Sequence, residues 1–161
     1  VVFGKATGSY PATLELSSLT GNDGFVMYGE NGGDHVGRSV SSAGDVNDDG
    51  YDDIIIGADF ANPLYRGSAG TSYVVFGKPD GYLDSLELSS LATGNGTNGF
   101  EIYGAALWYR SGSSVSAAGD INGDGYDDII IGNYLAVNVK EGAYVVFGQS
   151  EFDASVDLLS W

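Results

Sequence analysis

Apolar residues along this chain fall into short runs separated by glycine and polar turns. Four such runs follow one another at residues 36–43, 54–58, 71–77 and 100–104, and a copy of the last begins at Phe25. They are rich in β-branched and aromatic residues and too short for helices, so each predicts a strand. Ile54-Ile55-Ile56 and Ile129-Ile130-Ile131 are unbroken apolar triplets, the pattern of strands buried on both faces. No segment carries a helical stripe. Residues 14–19 and their later copies predict at most one helical turn.

The runs repeat. Val1-Val2-Phe3-Gly4 returns at Val74 and Val145, Leu14-Glu15-Leu16-Ser17-Ser18-Leu19 at Leu86, and Gly24-Phe25 at Gly99-Phe100, with spacings of 71 to 75 residues. Four short strands per fixed period predict an all-β fold of β-propeller blades, each of four antiparallel strands, about two repeats forming an incomplete ring. A β-sandwich of two duplicated halves is the alternative. On this reading residues 1–35 hold the last two strands of one blade and residues 36–110 a complete blade. Residues 111–161 then hold a partial blade and the start of the next repeat. The chain opens inside a strand-like segment, so further sequence upstream is expected.

Charge narrows the partners. A net charge of −16, from 22 acidic against 6 basic residues, disfavours nucleic acid and anionic membrane surfaces and favours cations. No apolar run is long enough to span a bilayer. Cysteine is absent, which removes disulfides, thiolate metal sites and thiol nucleophiles. The 26 glycines, with only 3 prolines, fit many tight turns between short strands.

The acids are clustered in two nine-residue stretches, 45–53 and 120–128. Asp45, Asn47 and Asp49 stand at positions 1, 3 and 5, Gly50 at 6, Tyr51 at 7 and Asp53 at 9. Asp120, Asn122, Asp124, Gly125, Tyr126 and Asp128 repeat the arrangement. Calcium takes six to eight oxygen ligands, alternate side chains of a tight loop converge on one point, and glycine permits the bend. The main-chain carbonyl of Tyr51 or Tyr126 adds a ligand at position 7, giving two expected Ca²⁺ sites. An EF-hand begins the same way but needs Glu at position 12 and flanking helices; here position 12 is Ile56 or Ile131 and the flanks are strand-like. Asp48, Asp52 and Asp127 fall out of the alternation and are not expected to bind the ion. An acidic turn that binds nothing is the bland alternative, set against a pattern found twice.

Residues 39–45, the acidic loop, Asp53-Ile54-Ile55-Ile56-Gly57-Ala58 and Tyr73-Val74-Val75-Phe76-Gly77 together resemble the FG-GAP repeat of integrin α-subunit propellers and of many secreted bacterial proteins. The resemblance covers essentially the whole chain, twice. It implies that the loop between the first two strands of a blade binds calcium, and it places the chain in a secreted or cell-surface protein. Val36-Gly37 and Ser111-Gly112 stand where that pattern has Phe-Gly, and Gly57-Ala58-Asp59 and Gly132-Asn133-Tyr134 where it has Gly-Ala-Pro.

Catalytic chemistry finds little support. His35 is the one histidine, sits in a Gly-Gly-Asp-His turn and has no repeat counterpart, and no phosphate loop opens a helix. The chain is therefore expected not to be an enzyme but a calcium-binding extracellular structural or adhesive module, self-associating head to tail or joined to neighbouring blades. A propeller segment of a larger secreted enzyme and a glycan-binding lectin are the alternatives, with a protein or glycan as ligand. Asn95-Gly96-Thr97 forms a glycosylation sequon, and Trp108, Tyr109 and Tyr134 are expected to pack between blades rather than form a recognition patch.

Overall fold

The computed structural model describes residues 1–5, 13–79, 82–134 and 142–160. Its ten strands are β1 Val26–Tyr28, β2 Ser39–Gly44, β3 Asp53–Ala58, β4 Thr71–Val75, β5 Ser85–Glu87, β6 Gly99–Tyr103, β7 Ser111–Gly119, β8 Asp128–Asn133, β9 Ala143–Val146 and β10 Ser155–Asp157. β2, β3, β4 and β6 pair antiparallel in sequence order, which is one complete four-stranded blade. β7, β8 and β9 repeat the first three strands of that order. The described strands do not close into a ring.

The complete blade is buried on both faces, as its isoleucine triplet predicts. Successive side chains of a strand point to opposite faces. Ile55 enters a core shared with the second blade, through Val74, Phe100, Ile102, Ile129 and Ile131; Ile56 enters another, with Tyr73, Val75, Leu88 and Leu91. Phe100 and Phe152 stack at 4.0 Å inside the first core. Where β3 of the first blade approaches β7 of the second, a side chain on Gly57 would strike the Gly112 carbonyl, so the approach of the backbones requires glycine.

Three expectations are corrected. The later copies of residues 14–19 are strands before they are helical turns: β5, at Ser85-Leu86-Glu87, lies parallel on β1, and β10, at Ser155-Val156-Asp157, parallel on β6, whereas the first copy forms only a 3-10 turn at Leu16–Ser18. The turns that follow, α1 at Ser89–Ala92 and a 3-10 turn at Leu158–Ser160, carry Leu91 and Leu158 into the two cores. Each such segment covers the outer edge of the preceding repeat's fourth strand, which would otherwise offer unpaired amides. Second, among the described residues the leading piece has one strand, β1, where two were expected, and Val2 makes an isolated bridge to Gly24. Third, Ile130 is partly exposed although its triplet reads as doubly buried, because no described strand packs on that face of the second blade.

Candidate metal centres

The two acidic loops join β2 to β3 and β7 to β8, the first two strands of each blade. Their shape follows from short polar side chains taking up backbone amides in a tight turn. Asp45 accepts the Asp49 amide at 3.0 Å and the Gly50 amide at 2.8 Å, one on each carboxylate oxygen. Asn47 Oδ1 shares the Asp49 amide at 3.2 Å, and Asp49 Oδ1 accepts the Tyr51 amide at 3.0 Å. The second loop repeats this bond for bond: Asp120 accepts the Asp124 and Gly125 amides, Asn122 shares the Asp124 amide, and Asp124 accepts from Tyr126. Gly50 and Gly125 adopt φ of +89° and +98°, left-handed geometry that a side chain would strain.

Asp53 and Asp128 close the loops from below and are fully buried. Asp53 accepts the Val46 amide at 2.9 Å and the Gly77 amide at 2.8 Å; Asp128 accepts from Ile121 and Gly148 at 2.9 and 3.0 Å. The glycine of each Phe-Gly pair thus ties the end of the third strand to the loop's closing carboxylate, a role that loop spacing alone did not suggest. Burial pushes the Asp53 carboxyl up to about 7; its two backbone hydrogen bonds oppose that, and the charges of Asp49 and Asp45 add to it. An ionised Asp53 is therefore costly unless a cation joins it.

The ten expected site residues thus occupy two loops of one design. Positions 1, 3 and 5 meet around shared amides, and position 9 sits beneath. Among the described residues no donor reaches the Tyr51 or Tyr126 carbonyl. Among them, too, no three acidic or histidine side chains are gathered into a ready ligand cluster, so an ion would draw the carboxylates inward. The donors are oxygen throughout, which suits a hard divalent ion such as calcium.

Asp127, set aside as a non-ligand, has a structural task. Its Oδ2 accepts the Asp45 amide of the other loop at 3.0 Å, and its own amide donates to the Asp45 carbonyl at 3.1 Å. The signal was the acid at position 8 in both loops; Asp52, its counterpart, is exposed.

Other singled-out residues lie elsewhere. His35 Nδ1 is 3.4 Å from Asp59 and its ring packs on Phe60. Asn95 is exposed and its Oδ1 accepts the Thr97 hydroxyl at 2.7 Å. Tyr109 packs against the first core, but Trp108 and Tyr134 are exposed, against the expectation of packing. A cavity of about 580 Å³ away from the loops is lined by Glu30, Asp34, Tyr73, Glu101 and Tyr103. Burial pushes Glu101 up to about 7; a hydrogen bond with Tyr103 opposes this and the Glu30 charge adds to it.

One four-stranded blade and the first three strands of a second, each with an acidic turn between its first and second strands, define a partial β-propeller. A family model described as FG-GAP repeat matches residues 36–75 and 111–147, and the chain belongs to that family. It is 40% identical over 122 residues to integrin alpha pat-2 of Caenorhabditis elegans, which is 74% of this chain and 10% of that protein. Identity is 35% over 136 residues to integrin alpha-5 of Xenopus laevis, covering 82% of this chain and 12% of that protein. To integrin alpha-8 of Gallus gallus it is 31% over 149 residues, 89% of this chain and 13% of that protein. The chain therefore spans about a tenth of the length of these relatives.

Proposed function

We propose that the chain is a calcium-binding structural and adhesive module of a secreted or cell-surface protein, without catalytic activity. One Ca²⁺ in each loop is held by Asp45, Asn47, Asp49, the Tyr51 carbonyl and Asp53, and by Asp120, Asn122, Asp124, the Tyr126 carbonyl and Asp128. The observation that carries this reading is the doubled loop, whose hydrogen bonds repeat between copies 75 residues apart. The kinship with integrin α-subunits supports the adhesive role and the location. No helix among the described residues is long and apolar enough to cross a membrane. Calcium here supplies charge neutralisation: it draws the loop carboxylates together and offsets the cost of burying Asp53. Blades stiffened in this way present their faces to neighbouring blades, and head-to-tail self-association follows from those faces.

Thermal unfolding with and without a chelator tests the calcium reading, since an ion that binds only the folded chain raises its melting temperature. Melting curves that coincide in millimolar calcium and in excess chelator, in protein shown by elemental analysis to keep no metal in the chelator, would remove the metal from the account.

A further inference from the structure

The cavity beside Glu101 lies against the complete blade, and the residues that line it fall within 30–103, clear of both ends of the sequence. Its floor is the half of that blade's sheet formed by β4 and β6. Side chains alternate along a strand, so Phe100 and Ile102 of β6 enter the first core while Glu101 and Tyr103 stand on the other face, opposite Tyr73 and Thr71 of β4. The rim is made by the linker between β1 and β2, with Glu30 and Asp34, by the loop between β3 and β4, with Asn62, and by the turn α1, with Ser89 and Ser90. A volume of about 580 Å³ falls in the range of small-molecule sites.

Glu101 stands apart from the other acids of the chain. It is 3% exposed, and its Oε1 has no hydrogen-bond partner among the described residues, although the carboxyl is hydrogen-bonded with Tyr103. A buried polar oxygen left without a donor is costly. Asp157 is met by both arms of Arg66 at 2.6 Å, and Asp53 by two backbone amides; Glu101 has neither kind of partner. Asp34, 5% exposed, accepts only from the neutral Asn31 side-chain amide, at 3.3 Å. Three carboxyl groups therefore share one cavity, and among the described residues no lysine, arginine or histidine lines it.

The partner this cavity suits is a donor that carries positive charge, and the geometry narrows its shape. A metal ion needs several carboxylates around one point, and among the described residues no three acidic side chains are so gathered. A guanidinium grips both oxygens of a carboxylate as a fork, whereas Glu101 offers one. An ammonium group is a compact charge that can meet a single oxygen with a single N–H. The hydroxyls of Thr71, Ser89 and Ser90 and the side-chain amide of Asn62 suit further hydroxyl groups on the body that carries it.

We propose that this cavity binds a small hydroxylated amine, of the chemical class of amino sugars, with its ammonium group on Glu101 Oε1. The site is separate from the calcium loops and goes beyond the metal reading, which stands or falls without it.

An amide-resolved NMR titration of the full chain, in calcium and at neutral pH, tests this with glucosamine as the probe. Glucosamine should shift the resonances of Ser89, Ser90, Glu101 and Tyr103 with a dissociation constant on the order of 1 mM, the scale for a ligand of its size. Glucose, which has a hydroxyl in place of the ammonium, should bind about tenfold more weakly, the scale of a charge-assisted hydrogen bond. Glu101→Gln keeps the shape and removes the charge, and should bring glucosamine down to the level of glucose. Ala92→Trp, at an exposed position on the rim, should obstruct binding without touching Glu101, which keeps the test open if Glu101→Gln does not fold. Asp48→Asn, which removes an exposed charge from a calcium loop, should leave binding unchanged. Glucosamine without effect at about ten times the expected constant, glucose binding as tightly, or shifts scattered over exposed acids and absent from the cavity would each overturn the proposal. So would a folded Glu101→Gln chain that binds glucosamine like the wild type.

Discussion

Asp52 and Asp127 occupy the same loop position in two copies of one motif, yet only Asp127 has a blade against it, so replacing each by alanine isolates the worth of that contact. Asp127→Ala removes a carboxylate that accepts the Asp45 amide at 3.0 Å in a half-buried setting. A hydrogen bond to a charged group contributes about 1.5 to 3 kcal/mol net, and partial exposure puts this one near the lower end, about 1.5 kcal/mol. For a chain of this size that corresponds to a melting temperature lower by roughly 3 to 6 °C. Asp52→Ala, at an exposed site, should change stability by less than about 0.5 kcal/mol. The assay is urea unfolding at saturating calcium and at a concentration low enough to keep the chain monomeric, so that neither metal loss nor association enters the comparison. Asp127→Asn keeps an acceptor oxygen and should recover part of the loss. Equal destabilisation by Asp52→Ala and Asp127→Ala would refute the reasoning, because it would mean that the position matters for its loop and not for the neighbouring blade.

Further outcomes follow from the same geometry. With dissociation constants of about 0.1 to 1 mM, calcium at about 1 mM should stabilise the fold by roughly 0.4 to 1.4 kcal/mol per site, reversed by chelation. Asp49→Ala and Asp124→Ala should each abolish one site in a calorimetric titration, while Asp52→Ala keeps both. Glu101 has a folded value of about 7 against an ordinary 4.5, so its contribution to stability is whole below 4.5 and is lost as pH rises through 7. Glu101→Gln should flatten that fall and leave the protein more stable than the wild type at pH 8 by on the order of 2 kcal/mol, read from urea midpoints across pH.

What the sequence could and could not disclose divides along physical lines. The loops were legible as tight turns because such turns demand particular residues at fixed spacing: Asp45, Asn47, Asp49 and Gly50 each serve a local geometric need that their positions announce. The strands were legible in kind because Ile55 and Ile56, and Val74, Val75 and Phe76, alternate between two cores. Their ends were not. Residues 36–38 read as strand, yet β2 starts at Ser39, because the Arg38 amide turns back to the His35 carbonyl. The parallel seat of β5 on β1 and of β10 on β6 joins segments of different repeats, and nothing within β5 or β10 specifies a partner that distant. Asp52 and Asp127 show the same limit more sharply, since identical local sequence acquires different surroundings from the neighbouring blade. Trp108 and Tyr134 misled because aromatic residues suit both packing and exposure, and only the fold assigns a side.

The central claim is that two calcium ions are held by the two loops, and the most direct test is to count them. Equilibrium dialysis of the chelator-treated chain against millimolar calcium, with bound metal measured by elemental analysis, should give two ions per wild-type chain, one for Asp49→Ala, one for Asp124→Ala and none for the double variant. A wild-type chain that binds none, or an Asp49→Ala, Asp124→Ala double variant that still binds two, would contradict it.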